Sequence, residues 1–120
     1  MKTVLVVEDS PTDRRLIVAL LQQAGLKVVV ADSAESAWSW LLVGRPDLIV
    51  LDIVMPGLSG LDLCRQIRAN SQFENIPIVF CSSKDQEFDQ FWALRQGGNA
   101  YITKPFAPLD FVQTVCNHLN

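Results

Sequence analysis

Five short apolar runs punctuate the chain, at Thr3–Val7, Lys27–Ala31, Leu48–Leu51, residues 78–81 and Ala100–Thr103. Runs this short, without polar alternation, predict strands buried on both faces of a parallel sheet. Between them the apolar residues recur at helical spacing. Ser10 and Pro11 supply a hydroxyl cap and a first-turn proline. Leu16, Leu20 and Leu21 then form an apolar face, and Gly25 ends the helix. Ser33 and Ser36 start a second helix through Ala37, Trp38, Leu41 and Leu42, closed at Gly44. Leu61, Cys64, Ile67 and Arg68 mark a third. A fourth is expected over residues 85–96 with Phe88, Phe91, Trp92 and Arg95, stopped at Gly97 and Gly98. The last carries Leu109, Phe111, Val112, Val115 and Leu119. Five strand–helix units without linker or repeat predict an α/β sandwich with right-handed crossovers, since a closed barrel needs eight.

Charged residues sit where this arrangement makes them informative. Glu8 and Asp9 follow the first run, Asp52 the third and Lys104 the fifth, while Ser82 and Ser83 follow the fourth. Ligands of open parallel sheets bind outside the carboxyl ends of the strands. Taken alone, each residue has a plainer role. Asp52 is then a strand-end cap, Glu8 and Asp9 are favourable charges at a helix N-terminus, the serines are a cap pair and Lys104 is an ordinary loop residue. Their coincidence on one sheet edge is what points to a site. Crowded carboxylates repel unless a proton or cation intervenes. A hard cation with oxygen ligands, Mg²⁺, is the simplest answer, held by Asp9 and Asp52 with Glu8 through water. Asp52 is then placed as a nucleophile that forms an acyl phosphate. Lys104 and the Ser82 hydroxyl are placed to meet phosphoryl oxygens.

Composition narrows the class. At 120 residues with 49% hydrophobic and 19% charged residues, the chain predicts one globular domain. A net charge of −3 argues against nucleic-acid binding. No apolar stretch is long enough for a membrane span, and the early Glu8 disfavours a signal peptide. Three widely spaced cysteines suit neither a disulfide framework nor a zinc site, and predict a cytoplasmic protein.

The segments Val7-Glu8-Asp9-Ser10, Leu51-Asp52-Ile53-Val54-Met55-Pro56-Gly57 and Tyr101-Ile102-Thr103-Lys104-Pro105-Phe106, with Ser82, resemble the receiver domain of two-component response regulators, the CheY-like type. The resemblance covers the whole chain. It implies a flavodoxin-like, doubly wound five-stranded parallel sheet in the order 2-1-3-4-5 with five helices. It implies a single receiver domain over residues 1–120 without an output domain, and a signalling protein rather than an enzyme. Asp52 would be the phosphoacceptor, served by a histidine kinase or phosphotransfer protein. Mg²⁺ would be bound by Asp9, Asp52 and the backbone carbonyl of Val54, with Glu8 completing the acidic pocket. Ser82 and Tyr101 would be the switch pair, Tyr101 turning inward from a solvent-facing position. The surface of the fourth helix, fifth strand and fifth helix would carry the signal to an output protein. The Lys104–Pro105 bond would be cis. Apolar Val54 cannot place a hydrolytic water, which argues against fast self-dephosphorylation. Gly97-Gly98 stands where Gly-Ala is usual, which would loosen the approach to the fifth strand.

The stretch Val79-Phe80-Cys81-Ser82-Ser83-Lys84-Asp85-Gln86-Glu87-Phe88-Asp89-Gln90-Phe91-Trp92 is similar to stand-alone regulators of the PilH kind. That implies twitching motility or phototaxis. Three rivals are weighed beside this reading. A phosphohydrolase of the haloacid dehalogenase type would want its nucleophile after the first strand. A flavin-binding module would want a phosphate loop where Glu8 and Asp9 repel phosphate. A phosphorylation-independent binding module would not need the full acidic pocket. Trp38 and Trp40, two apart on a helix, predict one core and one partly exposed ring. Core packing is expected for at least one of Phe88 and Trp92, and His118 reads as a complement to the last helix's dipole.

Overall fold

A computed structural model describes residues 1–119, in which strands and helices alternate strictly. They are β1 (Thr3–Val7), α1 (Pro11–Gln23), β2 (Lys27–Ala31), α2 (Ala34–Leu41), β3 (Leu48–Leu51), α3 (Gly60–Ala69), β4 (Ile78–Ser82), α4 (Glu87–Arg95), β5 (Ala100–Thr103) and α5 (Pro108–Asn117). All pairings are parallel, in the order β2-β1-β3-β4-β5. This is the order the resemblance implied. Strand residues point alternately to opposite faces, so β1 splits between two cores. Val4 and Val6 join Ile17 and Leu21 of α1 and Phe111 and Val115 of α5. Leu5 and Val7 join Ala37 and Leu41 of α2, Leu63 and Ile67 of α3 and Ala93 of α4.

Helix starts follow the predicted cap chemistry. Ser10 Oγ accepts from the Asp13 N–H at 3.4 Å, and Ser33 Oγ from the Ser36 N–H at 3.0 Å. Gly25 takes the left-handed conformation after α1, with φ 83°. His118 closes α5, its Nδ1 lying 2.8 Å from the Thr114 carbonyl.

Several expectations are corrected. Ile17, not Leu16, faces the core of α1, and Leu16 is exposed. Leu42 lies beyond α2 and is exposed. Trp38 and Trp40 are both half-buried against the same core. Trp38 meets the Phe73 ring edge-on at 5.9 Å, while Trp40 folds back over Gly44, so two long side chains reach round opposite flanks of α2. Helix α4 begins at Glu87 rather than 85, because the Gln86 N–H is taken by Asp89 Oδ2 at 3.1 Å. Phe88 and Trp92 are both exposed, at 61% and 49%, and Ala93 is the buried residue of α4. A Cβ on Gly98 would come within 2.6 Å of the Phe80 ring and 3.1 Å of the Ala93 carbonyl. Gly98 therefore permits a close approach and does not loosen it. The Lys104–Pro105 bond is cis, as implied.

One glycine ties the fold to the strand-end chemistry. Gly60 starts α3 directly against the turn that follows β3, and its N–H donates to the Ile53 carbonyl at 2.9 Å. A Cβ there would sit 1.9 Å from the Asp52 carbonyl oxygen. Backbone on both sides leaves nothing flexible to move aside. Gly60→Ala should therefore lower the unfolding free energy by about 2–4 kcal/mol. Urea unfolding followed by circular dichroism checks this, and an unchanged midpoint would mean that the Asp52 turn yields freely.

Candidate functional site

The parallel ladder itself delivers the site residues. Hydrogen bonding continues one residue past three strands: Glu8 N–H to the Ala31 carbonyl at 3.0 Å, Asp52 N–H to Val7 at 3.1 Å and Lys104 N–H to Ser82 at 2.8 Å. Glu8, Asp52 and Lys104 are thus fixed by backbone pairing before any side-chain contact forms. Their side chains converge. Lys104 Nζ lies 2.6 Å from Glu8 Oε1, 2.9 Å from Asp13 Oδ2 and 3.2 Å from Asp52 Oδ2. The second oxygen of Asp52 accepts from its own turn, from the Ile53 N–H at 2.7 Å and the Val54 N–H at 3.4 Å. Glu8 Oε2 accepts from the Ser10 N–H at 3.2 Å. Glu8, Asp52 and Ser82 are the buried polar residues among those described.

Charge is unbalanced here. Four carboxylates (Glu8, Asp9, Asp13 and Asp52) gather about one ammonium. Burial, with the Asp52 charge adding to it, pushes the Glu8 pKa up to about 7 against the bonds from Lys104 and Ser10. Burial alone would lower the Lys104 pKa. Its bonds to Glu8 and Asp13 and the nearby Asp52 charge outweigh that and hold it above the ordinary lysine value.

The excess negative charge and the donor chemistry suit a hard cation. Carboxylate oxygens of Glu8, Asp9 and Asp52 all lie within 4.8 Å of one another. Oxygen-only donors at that spacing fit Mg²⁺ better than a softer metal. The expected metal-binding carboxylates are therefore brought together. Val54 sits two residues after Asp52, exposed at the rim.

Ser82 and Tyr101 both bond to one residue, Lys84, through its two adjacent peptide groups. Ser82 Oγ accepts from the Lys84 N–H at 3.2 Å, and the Tyr101 hydroxyl donates to the Lys84 carbonyl at 2.6 Å. The Tyr101 ring is half-buried, 6.3 Å from the Phe80 ring, and burial raises its pKa. The expected solvent-facing ring is corrected: the Lys84 carbonyl holds it inward. Ser82 is the last residue of β4 and fully buried, so it is no cap for α4.

Asp13 is the site residue that sequence reasoning passed over. Three residues after the Ser10 cap, it reads as an ordinary first-turn acid. Its position one turn beyond Asp9 was the available signal. The thiols play no part. Burial pushes Cys81 up to about 12 and Cys64 up to about 11, so both stay protonated. Among the described residues no helix is long and apolar enough to cross a membrane.

Residues 4–116 match the response regulator receiver domain family. The chain is 35% identical to protein PilH of Pseudomonas aeruginosa, over 96% of this chain and 95% of that protein. It spans about half the length of the phosphate regulon transcriptional regulators it also matches. Among solved structures it is similar to the chemotaxis protein CheY4 of Vibrio cholerae, with a TM-score of 0.93 and 28% identity over 99% of each chain. It is also similar to the phosphorylated cyanobacterial phytochrome response regulator RcpA, with a TM-score of 0.84 and 30% identity over 97% of this chain and 89% of that one.

The raised Glu8 pKa has a measurable sign. Folded Glu8 binds its proton up to about pH 7, whereas the unfolded value is 4.5. Its contribution to stability is complete below 4.5 and is lost as pH rises through 7, at most about 3 kcal/mol. In Mg²⁺-free buffer, Glu8→Gln should gain in melting temperature relative to wild type between about pH 5 and about pH 7.5. A constant difference across that range would show that Glu8 ionises normally.

Proposed function

Because the chain belongs to the response regulator receiver domain family, we propose that it accepts a phosphoryl group on Asp52 and signals by protein–protein contact. The donor is a histidine kinase or phosphotransfer protein. The observation that carries this reading is the convergence of Asp52, an acid cluster and Lys104 at the carboxyl edge of the sheet. A carboxylate oxygen of Asp52 forms the new P–O bond as the donor's P–N bond breaks, and the imidazole leaves with the electron pair. The backbone N–H groups of Ile53 and Val54 orient the Asp52 carboxylate for this step. Lys104 turns its ammonium to a phosphoryl oxygen, and Ser82 offers its hydroxyl to another. Mg²⁺ held by Asp9, Asp52 and the Val54 carbonyl, with Glu8 beside them, would neutralise charge on the transferring group.

Donation of the Ser82 hydroxyl to a phosphoryl oxygen would draw the side chain toward the site and strain the bond that its oxygen accepts from the Lys84 N–H. The carbonyl of the same residue holds Tyr101, so a shift of the Lys84 backbone would pass to α4 and β5. The Tyr101 hydroxyl is then the second half of the switch. Exposed Phe88, Phe91, Trp92 and Leu94 on α4 and Leu109 on α5 support an output surface for a protein partner. The near-complete mutual coverage with PilH supports a single receiver domain over residues 1–120 acting in type IV pilus motility or phototaxis. Three free thiols support a reducing, cytoplasmic setting. The acyl phosphate is a signalling state, so the chain is read as a regulator and not an enzyme.

Intact-protein mass spectrometry with acetyl phosphate and Mg²⁺ tests the reading. Wild type should gain one phosphoryl group, lost on hydroxylamine treatment and without Mg²⁺, and Asp52→Asn should gain none. Unlabelled wild type, under conditions that label CheY4, would favour a phosphorylation-independent binding module. Steady release of phosphate from esters would favour a phosphohydrolase.

A further inference from the structure

An ammonium has three N–H donors, and those of Lys104 are all taken by Glu8, Asp13 and Asp52. If Lys104 is to meet a phosphoryl oxygen, one contact must be given up. The three are not equally easy to release. Glu8 is 2% exposed, so water does not reach it to replace the ammonium. Asp52 is the reacting group. The Asp13 side chain is 41% exposed, and water can replace the ammonium at once. Asp13 is therefore the contact that yields.

Its placement is built in. Asp13 lies in the first turn of α1, where its own N–H is held by Ser10 Oγ. Together with Lys104 it lines a cavity of about 300 Å³ completed by Leu16, Ser83, Pro105 and Phe106. In this cavity the Asp13 carboxylate stands beside the Lys104 ammonium. It lies outside the Glu8, Asp9 and Asp52 cluster suited to a cation.

We propose that Asp13 is a positioning residue that acts through Lys104, holding the ammonium back as a counter-ligand that an anionic phosphodonor must displace. The inference rests on the phosphoacceptor reading of Asp52. Asp13 then slows acceptance from small dianionic donors in two ways. It occupies an N–H that the phosphoryl group needs, and it adds a negative charge beside the cavity.

Phosphorylation by acetyl phosphate, followed by intact mass over a range of donor concentrations with Mg²⁺ present, tests this in wild type, Asp13→Asn and Asp13→Glu. Asp13→Asn should raise the second-order rate about three- to tenfold. The gain should appear mainly as a lower half-saturating donor concentration. It should shrink with added salt and with phosphoramidate, a donor of lower net charge. Asp13→Glu keeps the charge and should lie nearer to wild type than Asp13→Asn does. A change in helix-cap stability alone would move melting temperatures and leave the half-saturating concentration in place. Labelling of wild type with equal or slower labelling of Asp13→Asn overturns the counter-ligand role and leaves the phosphoacceptor reading standing. Equal acceleration by Asn and Glu also overturns it, since charge would then not be the cause. Absence of labelling in wild type overturns both.

Discussion

The ammonium of Lys104 sits among carboxylates that the parallel ladder forces together. Backbone pairing fixes Glu8, Asp52 and Lys104 at one level of the sheet, and there is no local way to spread them out. One cation cannot neutralise four acids, so the site carries a standing excess of negative charge. Burial raises the Glu8 pKa and that excess adds to it; the excess also holds the Lys104 proton tightly and suits a second cation. A site built this way is under electrostatic tension until positive charge arrives.

The fold separates chemistry from readout. One core packs α1 and α5 on one face of the sheet, and the other packs α2, α3 and α4. Strand β4 reaches from between them to the site, ending at Ser82, and β5 pairs beside it with Tyr101 opposite Phe80. Lys84 stands between β4 and α4, and its N–H and carbonyl bond to Ser82 and Tyr101 respectively. A perturbation at the strand ends thus reaches an exposed surface within a few bonds, without any rearrangement of the cores.

The strands and the strand-end residues were legible because a buried parallel strand writes its apolar run and its end directly into the chain. Glu8, Asp9, Asp52, Ser82 and Lys104 could be placed together on that ground alone, and the family resemblance supplied the strand order. Features that depend on phase and depth were not legible. Leu16 and Ile17 are adjacent and equally apolar, and only the start of α1 decides which turns inward. The aromatics of α4 look like core, but the phase of the helix turns Ala93 inward and leaves them exposed. Gly98 looked like slack and is a close contact. Asp13 matched a routine helix-start preference, and only the path of the Lys104 side chain shows that it belongs to the site. Tyr101 could be assigned to β5, but its inward orientation depends on a carbonyl seventeen residues away.

Ala93 is the one fully buried side chain of helix α4, while Phe88, Phe91, Trp92 and Leu94 each leave about half of their surface or more in solvent. A segment with so little buried area belongs at the low end of the range of local stabilities. Shifting or partly unwinding it gives up little packing, so its position is cheap to change while the two cores remain intact. The making or breaking of a single hydrogen bond is a change of comparable size.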